Sequence, residues 1–149
     1  MLPGAQCENR LAPLPSLARP RFERLIAAAR AAGIPVHVRE TYHSPERQAY
    51  LMVLGRGLTF SATSMHSAGP AVDLVMGDGD LRNPRSRARW IAFRRWVAGF
   101  EGGRFRLLGT PERSWDWPHV ELAEARSGSD RWRSCCRRPQ VSGAITLVA

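Results

Sequence analysis

The chain has 149 residues, 44% hydrophobic and 23% charged, which suits one globular domain with a core of its own. No apolar run approaches the ~20 residues that span a bilayer, and residues 1–20 lack the continuous apolar segment of a secretory signal, so synthesis in the cytoplasm is expected. Twenty-two basic residues, all arginine, against thirteen acidic ones give a net charge of +9, a field that favours an anionic partner: nucleic acid, a membrane surface or an anionic cell-wall polymer. An arginine-rich chain is equally the product of a GC-rich genome. Three cysteines, Cys7, Cys135 and Cys136, form no disulfide framework and match no zinc-ribbon spacing.

In chain order, residues 1–15 are rich in Pro, Gly and Ala and read as an irregular lead-in. A helix follows from Ser16 or Arg19 to Ala32, with Pro20 in its first turn, an apolar stripe of Phe22, Leu25, Ile26 and Ala29, and Gly33 as its stop. Ile34 to Tyr42 alternates and predicts a strand. Ser44 and Pro45 suit an N-cap and first helical position, opening a helix to Gly55 or Gly57 with Tyr50, Leu51 and Leu54 as its buried face. Leu58 to Thr63 reads as a polar loop, Ala71 to Met76 as a short apolar strand and Gly77 to Asp80 as a turn. Asn83-Pro84 begins a helix to Phe100, with Trp90, Phe93 and Val97 on one face. Arg104 to Leu108 and Trp117 to Leu122 are the remaining strands, and a basic tail runs from residue 126 to 149. The expected fold is α+β, a small antiparallel sheet flanked by helices, within a domain spanning 16–125.

The chemistry concentrates in two stretches. In Ser64-Met65-His66-Ser67-Ala68-Gly69-Pro70-Ala71-Val72-Asp73 a histidine precedes an aspartate by seven residues. Fully extended, they would stand ~23 Å apart at ~3.3 Å per residue, so sharing an ion requires the chain to fold back, and Gly69-Pro70 is where it can. Asp73 sits among Ala71, Val72, Leu74 and Val75, and a buried carboxylate needs a metal or a cation beside it. The second stretch, Asp116-Trp117-Pro118-His119, offers a third ligand in His119. Two histidines and a carboxylate make a catalytic zinc set with one open position. Two roles are open to Asp116: general base at that position, the preferred one, or a partner orienting a ligand histidine. Trp115 and Trp117 either line a substrate groove or belong to the core, and His37 reads as structural.

The ordered pattern Ser64-x-His66, six residues, Asp73, then Asp116-x-x-His119 resembles the D-alanyl-D-alanine carboxypeptidase / L-alanyl-D-glutamate endopeptidase family, VanY-like zinc peptidases that share a fold with the hedgehog signalling domain. The resemblance runs from Ile34 to Leu122 and includes Glu40 to Gln48 before the first ligand and Ala98 to Arg104 before the last. It implies one zinc per chain on His66, Asp73 and His119, Asp116 as base, Ser64 as a nearby polar group, and a bacterial peptidoglycan stem peptide as substrate. Where the family carries an arginine that steadies the substrate carbonyl, this chain has His43; protonated His43, Arg39 or Arg47 are the candidates for that task, and Arg47 also suits a solvated helix face. Pro70 and the residue after Glu101 depart from the family pattern as well.

Three functions follow as expectations. The first is a monomeric peptidoglycan peptidase, an endolysin or a wall-remodelling enzyme that reaches the wall after lysis or by another route. The second is a non-catalytic binding module on the same fold, and the third a basic nucleic-acid-binding protein. Retention of three ligands and Asp116 argues against the second, and absence of a nucleic-acid motif argues against the third.

Overall fold

The structure, a computed structural model, describes residues 11, 14–41, 43, 45–55, 65–68, 70–76 and 80–125. Residues 1–10, 12 and 13 of the lead-in, the 58–63 loop, Tyr42, Ser44, Ser64, residues 77–79 and the tail with Cys135 and Cys136 lie outside them. Helix α1 (Arg19–Ala31) leads to strand β1 (Val36–Glu40), helix α2 (Pro45–Val53), a helical turn α3 (Met65–Ala68) and strand β2 (Ala71–Met76). Helix α4 (Pro84–Gly99) and strands β3 (Phe105–Leu107) and β4 (His119–Leu122) complete the fold. The strands form one antiparallel sheet in the order β1-β2-β4-β3. No helix of the described residues is long and apolar enough to cross a membrane.

Alternation gives the sheet two unlike faces. Val36, Val72, Leu74, Met76, Phe105, Leu107, Val120 and Leu122 form one face and are buried in a single cluster with α1 and α4. From α1 come Phe22, Leu25, Ile26 and Ala29, the predicted stripe. Trp90, Phe93 and Val97 come from α4, which Asn83 caps by accepting a hydrogen bond from Arg85 N at 3.0 Å. Phe22 packs edge-on against Phe105, ring centroids 5.4 Å apart, and so joins the first helix to the third strand. Phe22→Ala is expected to destabilise the fold by about 3–5 kcal/mol, read as a lower denaturant midpoint with an unchanged slope.

Two features depart from the sequence reading. Tyr50 is 42% and Leu54 46% exposed, so they do not form a buried face of α2. This helix lies beside the edge strand β1 and touches it through an ion pair, Arg47 Nη2 to Glu40 Oε1 at 3.3 Å; position at the sheet edge outweighs the apolar spacing. Second, a helical turn, α3, which the sequence reading did not assign, carries His66.

Candidate metal centre

The opposite face of the sheet holds the polar residues. Pairing of β2 with β4 sets Asp73 directly across from His119, and pairing of β1 with β2 sets Glu40 across from Asp73. A register shift between Val38 and Glu40 makes the second pairing possible. Without that bulge Arg39 would face Asp73; instead it is an exposed residue of the edge strand. The turn α3, ending just before buried Pro70, brings His66 back over β2.

The three expected ligands meet there. His66 Nε2 lies 3.0 Å from Asp73 Oδ1 and 2.9 Å from His119 Nδ1, and His119 Nδ1 lies 3.6 Å from Asp73 Oδ1. Donors held ~2.0–2.1 Å from one tetrahedral ion stand about 3.3 Å from each other, so the triangle has the size of a metal site. Asp73 Oδ1 is buried and, despite these short contacts, has no hydrogen bond of proper geometry. The His-Asp-His group can hold a metal ion.

Each histidine is turned by a partner on its far nitrogen. His66 Nδ1 donates to the Thr41 carbonyl at 2.5 Å, leaving Nε2 as the ligand atom. His119 Nε2 donates to Glu121 Oε2 at 3.0 Å, leaving Nδ1. Glu121 is 0% exposed, two residues on from His119 and on the same face, and its Oε1 stands 3.6 Å from Arg106 Nε on β3. Metal-ligating histidines depend on such carboxylates for tautomer and aim. The sequence reading missed Glu121, although His-x-Glu in a strand is the spacing that puts both on one face. Glu121→Gln is expected to weaken metal binding by ~10–100-fold while leaving the fold intact, measured by competition with a chromophoric chelator.

Electrostatics follow from this crowding. Burial opposes ionisation of Asp73, yet the charge of His66 and its contacts with His119 hold the carboxyl well below its usual range. Burial likewise opposes charge on His119, but contacts with Asp73 and Glu121, and the negative charge of Asp73 and Asp116, push it up to about 9. Asp116, 4.0 Å from His119 Nδ1 through Oδ2, stands beside the triangle without joining it. Burial and the neighbouring Asp73 charge raise its pKa, with His119, His66 and Arg94 pulling the other way.

The remaining candidates have definite positions. His43 is buried, stacks on the His66 ring at 4.6 Å, and its Nε2 is 2.6 Å from Glu40 Oε2. Arg47 reaches the same Glu40. Both are therefore bound to a carboxylate, and His43 lies against the His66 ring. Trp117 is half-buried with its ring 5.3 Å from the Arg94 guanidinium, whereas Trp115 is 62% exposed.

The antiparallel four-stranded sheet with its helices is an α+β fold, shared with the VanY and LdcB peptidases. No family model and no curated protein matches the chain. Among solved structures, the LdcB LD-carboxypeptidase, described for its recognition of peptidoglycan, is similar over 79% of this chain and 70% of its own, with 23% identity and a TM-score of 0.56. A mutant of the vancomycin-resistance D,D-pentapeptidase VanY from a VanB-type cassette, solved with Zn(II), is similar over 80% and 78%, with 19% identity and a TM-score of 0.53. VanYB in complex with D-alanine-D-alanine gives 81% and 77%, 19% identity and 0.52. At these identities the likeness establishes the fold.

Proposed function

We propose that this protein is a zinc-dependent peptidase of bacterial peptidoglycan, hydrolysing a stem-peptide bond as an L-Ala–D-Glu endopeptidase or a D-Ala–D-Ala carboxypeptidase. The observation that carries this reading is the convergence of His66 Nε2, Asp73 Oδ1 and His119 Nδ1, with Asp116 alongside. Similar folds in an LD-carboxypeptidase and a D,D-pentapeptidase support the substrate class. His66, Asp73 and His119 would hold one zinc. When bound, the ion supplies Lewis-acid polarisation and lowers the pKa of water toward 7.

Asp116 does the proton work. Its Oδ2 takes a proton from the water that adds to the scissile carbonyl carbon, and returns it to the amine nitrogen as the C–N bond breaks. Burial suits it to that task, because a raised pKa makes a stronger base. The +9 charge would help the protein stay on an anionic wall polymer. An endolysin or a wall-remodelling enzyme, working as a monomer, fits this chemistry.

The pH dependence of zinc uptake has a definite sign. In the metal-free protein His119 is held protonated up to about 9, against an ordinary value of 6.5. His119 Nδ1 would have to lose that proton to hold zinc, so the apparent affinity is expected to rise with pH, by up to about tenfold per unit, and level off above pH ~9. The stability that His119 gives the metal-free fold has the reverse trend: full below pH 6.5 and lost as pH rises through about 9. Calorimetric titrations and melts between pH 6 and 9 measure both.

One observation favours a second reading, a non-catalytic binding module. His43, standing where the family's carbonyl-steadying arginine is expected, has its Nε2 engaged by Glu40. Loss of an oxyanion donor costs ~10²–10³ in rate. Mass spectrometry of fragments released from purified peptidoglycan separates the readings, since the module binds zinc and wall but releases nothing.

A further inference from the structure

The α4 helix buries a charge that the metal site does not explain. Arg94 sits on the helix's inner face with Trp90, Phe93 and Val97 and is 0% exposed. A buried guanidinium is costly unless its donors are used. Here Nη2 donates to the carbonyls of Leu108 at 2.7 Å and Thr110 at 3.1 Å, and Nη1 to the carbonyl of Trp117 at 2.9 Å. No carboxylate touches it among the described contacts. Its acceptors lie at the two ends of one segment, the connection from β3 to β4, and the last of them is one residue from Asp116.

That connection is also fastened at Glu112, which pairs with Arg95 Nε of α4 at 2.8 Å, and at Pro118, whose carbonyl accepts from Leu74 N of β2 at 2.9 Å. Thr110 and Arg113 exchange backbone hydrogen bonds at 2.8 and 3.2 Å, closing a turn that Gly109 permits: at φ +75°, a side chain there would collide with the Arg113 carbonyl. Asp116 N donates to Ser114 Oγ at 3.0 Å. These latter bonds are local to the segment. Arg94 ties both of its ends to a helix fixed in the core, and its guanidinium lies over the Trp117 ring at 5.3 Å.

We infer that Arg94 is a positioning residue for Asp116: its planar fork clamps both ends of the β3–β4 connection and thereby fixes where that carboxylate stands beside His66, Asp73 and His119. The inference rests on the hydrolytic reading for its effect on rate. Lysine cannot replace the fork, because a single ammonium does not span carbonyls of both loop ends in a fixed plane.

The test compares full-length wild type with Arg94→Met and Arg94→Lys, each loaded with zinc. Hydrogen exchange is followed by mass spectrometry over 108–118 and, as an internal reference, 71–76. Hydrolysis of a stem peptide is measured as kcat and KM per zinc-loaded molecule. Arg94→Met should hold zinc as wild type does, exchange at least tenfold faster in 108–118 but not in 71–76, and lose ~10²-fold in kcat with KM unchanged, the cost of a misplaced reacting group. Arg94→Lys should show the same pattern at smaller amplitude. Wild-type exchange in 108–118, or wild-type kcat with only a lowered melting temperature, overturns the proposal. If Arg94→Met does not fold, Arg94→Lys decides by the same two criteria. A wild type that hydrolyses no stem peptide refutes the hydrolytic reading, and the exchange comparison still decides whether Arg94 holds the loop.

Discussion

Asp116→Ala is expected to lower kcat by ~10²–10⁴, the range that a general acid-base group contributes, while the protein keeps its zinc. The expectation follows from position. Asp116 Oδ2 is 4.0 Å from His119 Nδ1, whereas the three proposed ligand atoms stand 2.9 to 3.6 Å from one another. It is close enough to act on a group bound at the triangle and set back enough not to belong to it. Removing it takes away a proton carrier and leaves His66, Asp73, His119, Thr41 and Glu121 in place. Zinc content near one ion per chain with kcat collapsed is therefore the expected pair of results. Full activity in Asp116→Ala would mean that another group carries the proton. Loss of zinc along with activity would assign Asp116 to holding the ion instead.

Asp73→Asn should have an effect of a different kind. The amide is nearly isosteric with the carboxylate, so β2 and its pairing with His119 are retained. What changes is the donor: a neutral amide replaces the only anionic ligand, at an oxygen that is buried and has no hydrogen bond of its own. Zinc affinity is expected to fall by more than the ~10–100-fold that an outer partner such as Glu121 costs, and hydrolysis with it. In the metal-free protein the same change removes a negative charge that helps to hold His119 up to about 9, so the His119 pKa should drop toward its ordinary 6.5. Imidazole titration by NMR reads that shift independently of activity. An Asp73→Asn protein that binds zinc as tightly as wild type contradicts the ligand set.

Much of this was legible because the residue types speak directly. Histidine and aspartate are good zinc ligands wherever they meet, and the Gly-Pro break between His66 and Asp73 signalled a chain able to return on itself. The short apolar run 71–76 and the stripe of Phe22, Leu25, Ile26 and Ala29 marked the strand and helix that build the core. Arg94 and Glu121 were not legible. Periodicity marks apolar inward positions, so a charged residue inside such a face reads as an exception until its partners are known. Those partners are main-chain carbonyls 14, 16 and 23 residues away for Arg94, and a histidine ring for Glu121. The bulge that sets Glu40 instead of Arg39 opposite Asp73 is likewise a matter of pairing between strands, which spacing along one strand does not specify. In α2 the pattern itself misled, since Tyr50 and Leu54 have helical spacing but no buried surface to cover.

The function proposed for this site is cleavage of peptidoglycan. Its most direct test is digestion of purified walls from several bacterial species by the zinc-loaded protein, with mass spectrometry of what is released. Stem-peptide fragments or free D-alanine are expected, abolished by a chelator, restored by zinc, and absent with Asp116→Ala. Protein that holds about one zinc per chain and releases nothing from any of the walls would contradict it.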